Sequence, residues 1–401
     1  MSQPKKRVLI STIKPGSGGV PVMASFVAGL LEKHGHEPVI AHYEPYSNTP
    51  NLSVPSFRLL QRTVASEPRT AFDHCEAHAI GAWLPELEFT HYLATSHWRT
   101  LMDGCDAHVM VSGNILAATP YWQTGRPYLA WVATDWAGDR KDRTRNFSWP
   151  RKLLDKTVNG PVIKQLEKKL LKSGRILALS EYTAKTLAAI AGTEDRPDVL
   201  GMPVETDVFV VRAEATAPRR LGFTGRYDDP RKNIGLLLDA MSLLKQRGES
   251  VSAVLIGGQP NETILERVNR LGLKEQVTFM SQISRDELVR QVQALDVFVL
   301  PSHQEGLCIS ALEAMACGVP VVSTRCGGPE EFVIDGGTGL LVDNDPEQMA
   351  QAIQAIVGDR ELRARLSQAA RRLAVKRYAI ESAEEVFMAA FDKTFPQLQQ
   401  G

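Results

Sequence analysis

Two glutamates eight positions apart, Glu305 and Glu313, stand in the stretch PSHQEGLCISALEAMACGVPVVSTRCGGPEEFVIDGGTGLLV that runs from 301 to 342. A carboxylate accepts charge-assisted hydrogen bonds from vicinal hydroxyls and repels phosphate, so a pair of them suits a ligand built of hydroxylated rings. At a helical rise of about 1.5 Å per residue the two backbones lie roughly 12 Å apart, within reach of one nucleotide-sized ligand. In isolation the same residues would do less: Glu305 would complement a helix dipole and Glu313 would be a solvated helix residue. Their neighbours decide between these readings.

Residues 294–300, Ala-Leu-Asp-Val-Phe-Val-Leu, are short, β-branched and aromatic and close on Pro-Ser. That predicts a buried strand with Glu305 and Gly306 in the loop at its carboxyl end. Helix formers fill 307–317, Gly318 and Pro320 supply the stop, and 319–324 reads as a second strand. A helix starting here would aim the backbone N–H groups of Leu307, Cys308 and Ile309, with the positive end of its dipole, at an anion in the crevice.

The remaining chain must hold that unit in place. At 401 residues it is long for a single core and fits two α/β domains. Zero formal net charge points to no nucleic-acid partner, so any basic surface is local. The apolar stretch 8–13 is too short for a signal peptide or membrane span, and nothing later reaches spanning length. The cysteines, Cys75, Cys105, Cys308, Cys317 and Cys326, are odd in number and lack Cys-x2-Cys spacing. Neither a disulfide framework nor a zinc site is expected, and a reducing cytoplasm is the expected location.

The whole string PSxxEG, EAMACGVPVVST, a Gly-Gly pair and EFVIDGGTGLLV resembles the nucleotide-sugar signature of retaining glycosyltransferases of family 4. The resemblance implies the GT-B fold: two Rossmann-like domains facing across a cleft, at 1–210 and 218–377, and a C-terminal helix in 378–401 returning to the first. It implies a donor sugar nucleotide, UDP-linked in preference to GDP- or ADP-linked, and an acceptor lipid or small molecule bound by the first domain. Glu305 would then hold sugar hydroxyls, Glu313 the ribose, and Gly306 and the N–H groups of Leu307, Cys308 and Ile309 donor oxygens. Arg226 and Lys232, in GRYDDPRKN, match the positions that grip the diphosphate. A guanidinium forks phosphate oxygens and an ammonium adds a point charge as the leaving group becomes more negative. No Asp-x-Asp motif stands beside Arg226 and Lys232 in the sequence, so no metal or other cofactor is expected; Asp228 and Asp229 are the nearest acidic pair.

In the first half, 7–12 and 37–43 read as strands around a loop, KPGSGGVP, and a helix over 22–34. The loop lacks the third glycine of a dinucleotide fingerprint. In the family, Gly18 and Gly19 of such a loop reach the donor diphosphate through bare backbone. Residues 45–75 read as loops with short helices, and 74–102 is rich in helix formers; its histidines, His74, His78, His91 and His97, carry no assigned chemistry. Strands are expected over 106–112 and 128–134. After the second, many family members place a histidine, and this chain has Thr134, Asp135 and Trp136. Asp135 either contacts the reacting groups or caps the segment that follows. Between 140 and 175 twelve Lys or Arg face three acids, interleaved with Phe147 and Trp149. Apolar and basic residues at helical spacing over 162–171 fit docking on an anionic membrane surface, against a solvated basic face. Two other functions stay open: a sugar-nucleotide epimerase, which can share the GT-B fold, and a non-catalytic subunit that keeps the nucleotide-sugar-binding motif.

Overall fold

The structure, a computed structural model, describes all residues except 1–4, 17, 141–147, 213–218, 227–228 and 399–401. It divides into two compact units, one of residues up to Leu200 together with those from Glu384 onward, the other Gly201–Ala383.

In the first unit the strands are β1 (Arg7–Thr12), β2 (Glu37–Tyr43), β3 (Ser66–Ala71), β4 (Cys75–Ile80), β5 (Ala107–Ser112), β6 (Leu129–Val132), β7 (Arg175–Ala178) and β8 (Asp198–Val199). They form one sheet in the order β3-β4-β2-β1-β5-β6-β7-β8. All neighbours are parallel except the edge pair β3 and β4. β1 and β5 are buried along nearly their whole length, as expected for strands covered on both faces. The helix after β1 begins at Gly19, three residues before its expected start.

The β3–β4 hairpin corrects the reading of 45–102. Cys75–Ile80 is composed of residues that favour helix, yet Cys75, Ala77 and Ala79 are buried and Glu76 is exposed. Pairing with β2 from Val39↔Glu76 to Tyr43↔Ile80 overrides propensity. The hairpin turns on Phe72 and Asp73, both at left-handed φ of 51° and 68°.

In the second unit β9 (Arg220–Thr224), β10 (Ser252–Gly257), β11 (Val277–Ser281), β12 (Val297–Leu300), β13 (Val321–Thr324) and β14 (Gly339–Val342) form a sheet in the order β11-β10-β9-β12-β13-β14. Every pairing is parallel. Numbered within the unit, this is the doubly wound order 3-2-1-4-5-6, whose direction of winding reverses between β9 and β12. Ligands bind outside the carboxyl ends of strands at such a point, because the loops there diverge to opposite faces and leave a crevice.

Residues 201–210, read with the first domain from sequence, group with the second unit. Arg371 holds them there, donating to the carbonyls of Thr206 and Phe209 and to that of Ala316. The last long helix, Ile380–Thr394, buries Phe387 and Phe391, and Phe395 follows them into the first unit. In that unit Glu384 pairs with Lys33 at 2.6 Å and His34 at 2.8 Å, and Phe391 packs on His36.

Candidate functional site

The loops after β9 and β12 meet at the reversal point. His303 donates its backbone N–H to the Arg231 carbonyl at 2.7 Å, and the Asn233 amide donates to the Pro301 carbonyl at 3.1 Å. Between these ties, Lys232 Nζ and Ser302 Oγ both donate to Glu305 Oε1, at 2.8 and 2.6 Å. The Glu305 side chain is 10% exposed and that of Lys232 20%. Both bonds converge on one oxygen, so among the described residues Oε2 is the oxygen left to accept from a ligand.

Gly225 opens the first loop at φ 151°, a backbone only glycine adopts without strain, and brings the chain past Lys232. The second loop is braced from behind by the Gly-Gly pair. Glu305 donates its N–H to the Cys326 carbonyl and accepts from the N–H of Gly328. A Cβ on Gly328 would lie 1.9 Å from the Gly306 carbonyl oxygen.

The helix behind Glu305 is shorter than expected: it spans Ile309–Ala316, with Cys308 at φ 73° as the preceding residue. Its first N–H groups therefore belong to Ile309 and Ser310, while Leu307 and Cys308 lie in the approach. Ser310 Oγ donates to the Thr224 carbonyl at 3.0 Å and fixes the helix start to the end of β9. Burial pushes the Cys308 thiol up to about 12, which keeps it protonated and unreactive.

Arg226 lies at the rim, its side chain 75% exposed and 3.6 Å from Asp229. Asp229 caps the short turn Pro230–Lys232 by accepting from the Arg231 N–H, which commits it to the loop itself; its neighbour Asp228 lies outside the described residues. Glu313 is half-buried on the helix, and burial pushes its carboxyl up to about 7, with Arg285 drawing it down and Glu205 opposing.

The first unit has its own crevice where its winding reverses, between β1 and β5. A cavity of about 510 Å³ is lined by Lys14, Tyr43, Glu88, His91, Asn114 and Arg151, among others. Tyr43 and His91 stack with centroids 4.0 Å apart, which offers a flat apolar surface beside charged groups. Arg140, also lining it, pairs with Glu88 at 2.8 Å and Asp155 at 2.5 Å. Gly18, at φ 124°, and Gly19 open the helix that follows β1. Asp135 is a local cap: one oxygen accepts from the Gly138 N–H at 3.1 Å and the other from the Thr134 hydroxyl at 3.4 Å. Beyond it, Glu167 is buried and accepts from the Trp136 N–H, and burial pushes its carboxyl up to about 7.

The apolar stripe expected at 162–171 is not free for a membrane. The helix Gly160–Ser173 turns Ile163, Leu170 and Leu171 into the core and leaves Lys164, Lys168, Lys169 and Lys172 outward. Phe147 lies outside the described residues.

The fold class is that of solved GT-B proteins. Sucrose-phosphate synthase of Thermosynechococcus elongatus superposes with a TM-score of 0.70 at 18% identity over 98% of this chain and 100% of its own. HepE of Anabaena, solved in complex with UDP, superposes at 0.72 and 14% identity over 97% of this chain and 100% of its own. Within that fold, residues 206–373 match the family model for glycosyl transferases group 1. The chain carries a group 1 glycosyl transferase domain of the family 4 type. Among curated relatives, the GDP-mannose-dependent alpha-(1-6)-phosphatidylinositol monomannoside mannosyltransferase of Mycolicibacterium smegmatis is 35% identical over 45% of this chain and 51% of its own. The D-inositol 3-phosphate glycosyltransferase of Corynebacterium urealyticum is 35% identical over 43% of this chain and 39% of its own. The chain spans about half the length of the curated relatives it matches.

The raised carboxyl of Glu313 sets a pH test. A group whose folded pKa lies near 7 against 4.5 in the open chain binds more protons when folded, so its stabilisation is lost as pH rises through that window. Glu313→Gln should therefore gain stability relative to wild type between pH 5 and 8, by up to about 3 kcal/mol. Denaturant unfolding at both pH values measures this; equal differences at both would place the Glu313 carboxyl in water.

Proposed function

We propose that the chain is a metal-independent, retaining glycosyltransferase that moves a hexosyl-type sugar from a nucleoside-diphosphate sugar to an acceptor hydroxyl. The observation that carries this reading is the convergence of Lys232 and Ser302 on Glu305 at the strand-order reversal, ahead of a helix N-terminus. Glu305 Oε2 takes hydroxyls of the donor sugar. Lys232 and, from the rim, Arg226 take the diphosphate, with the N–H groups of Ile309 and Ser310 behind them, and Glu313 takes the ribose. The acceptor oxygen bonds to the anomeric carbon as the bond from that carbon to the diphosphate breaks, and the acceptor proton passes to the departing phosphate oxygen. No side chain is needed as nucleophile. Asp135 acts as a positioning group, since both its oxygens are engaged in the turn after β6. UDP remains the expected carrier from the sequence resemblance; one relative's name specifies GDP-mannose.

The acceptor takes the crevice of the first unit, where the Tyr43–His91 stack suits a ring and Lys14, half-exposed and paired with Glu44 at 2.7 Å, stands at the wall. Two relatives are named for inositol-based acceptors, which supports a phosphorylated polyol or its lipid form. Glu305→Gln should lower turnover by on the order of tenfold to a hundredfold, the equivalent of one lost charge-assisted bond of about 1.5–3 kcal/mol. Its melting temperature should change little. Unchanged turnover would overturn the donor site, and a sugar nucleotide altered without any acceptor would make the chain an epimerase.

Docking on an anionic membrane rests on Trp149, inside the basic stretch expected for it, joined by Phe57 and Leu60 outside that stretch, and not on the apolar stripe of 162–171. Phe57, Leu60 and Trp149 are 67%, 102% and 75% exposed, near Arg58, Lys152 and Lys156. The two segments are joined through Glu86, which accepts from Ser56 and feels the charge of Arg151. Large apolar side chains with bases beside them in sequence, and Arg58 over the Phe57 ring, fit a surface of anionic headgroups, each base adding about 1 kcal/mol. Wild type should sediment with anionic vesicles at low salt and not with neutral ones, and Leu60→Glu with Trp149→Glu should abolish it. Wild type left in the supernatant at low salt would make the acceptor soluble.

A further inference from the structure

At the opposite end of the first unit from its crevice, three ligand-type side chains converge that the reaction above does not use. Glu32 lies near the end of the helix Gly19–Lys33, and His74 and Cys75 lie at the start of β4. One oxygen of Glu32, the Nε2 of His74 and the Sγ of Cys75 all lie within 4.8 Å of one another. We propose that Glu32, His74 and Cys75 form a site for a divalent zinc-type cation.

The separations fit the size of such an ion. Sγ lies 3.7 Å from Nε2 and 3.8 Å from Oε1, and Nε2 lies 2.8 Å from Oε1. The centre of that triangle is about 2 Å from each atom, and a cation slightly above the plane meets bond lengths of ~2.0 Å to nitrogen and oxygen and ~2.3 Å to sulfur. Thiolate, imidazole and carboxylate together select zinc or cobalt over the hard cations magnesium and calcium, which prefer all-oxygen sites. Three protein ligands leave a fourth, tetrahedral position for water.

The surroundings prepare the ligands. The left-handed residues Phe72 and Asp73 turn the chain so that the consecutive residues His74 and Cys75 face the same carboxylate, where a regular strand would send them to opposite faces. His74 Nε2 lies 2.8 and 3.0 Å from the two oxygens of Glu32, so the ring already presents that nitrogen to the carboxylate. The imidazole is 62% exposed, which gives the ion an entry path, while Cys75 is buried. In the metal-free protein the thiol faces Glu32 at 3.8 Å and His74 pairs with it; the cation replaces the thiol proton, which is released to water, and takes over both contacts. The bound ion would tie the edge hairpin to the first helix, 42 residues away in sequence.

The test is metal binding by the full chain, read separately from turnover. Cobalt(II) should give a thiolate charge-transfer absorption at one equivalent per chain, zinc should displace it, and zinc should raise the melting temperature. His74→Ala, an exposed change that leaves folding intact, and Cys75→Ser should each weaken zinc binding about tenfold or more in competition with a chromophoric chelator. Glu305→Gln should bind zinc as wild type does, which separates failure here from failure of the donor site. No cobalt–thiolate band, or equal zinc affinity in wild type and His74→Ala, would overturn the site and leave a His–Glu ion pair beside a buried thiol.

Discussion

The second unit is organised around one carboxylate oxygen. Glu305 Oε1 accepts from Lys232 and Ser302 at once, so the loop after β9 and the loop after β12 are held by the same atom at the place where the sheet reverses. A partly buried ion pair of this kind is a poor source of stability, because desolvating two charges offsets most of their attraction. Its value is geometric. It orients the carboxylate and, among the described residues, engages Oε1 rather than Oε2.

The rest of the motif serves that arrangement. Gly328 is a glycine because the Gly306 carbonyl occupies the space of its Cβ, and its N–H in turn holds the carbonyl of Glu305. Ser310 ties the helix to Thr224, which keeps the first free N–H groups of that helix beside the same crevice. Residues that look like a recognition string in sequence are thus, in large part, the bracing of a single loop.

Much of this was legible in the chain. The β12 strand, its loop, the helix and β13 followed from composition and punctuation, since Pro301, Gly318 and Pro320 mark ends that no packing detail can move far. What escaped was set by tertiary contact. The hairpin of β3 and β4 looked helical because only pairing with β2 decides a run such as Cys-Glu-Ala-His-Ala-Ile. The apolar stripe of 162–171 looked available for a membrane because periodicity shows a face and not what covers it. Ser302 stood inside the PSxxEG string but was read only as the turn closing the strand, and the approach of Glu32 to His74 and Cys75 spans two elements that no local pattern joins. Asp135 was left between two roles by its sequence, and its bonds to Gly138 and Thr134 favour the cap.

The central claim is that Lys232 and Glu305 form the phosphate and sugar ends of one donor site. Calorimetric titration of wild type and Lys232→Ala with UDP and with uridine, with GDP and guanosine alongside, tests it most directly. The account predicts that Lys232→Ala loses roughly tenfold or more in affinity for the diphosphate and little for the nucleoside. Equal losses for diphosphate and nucleoside, or none for either, would contradict it.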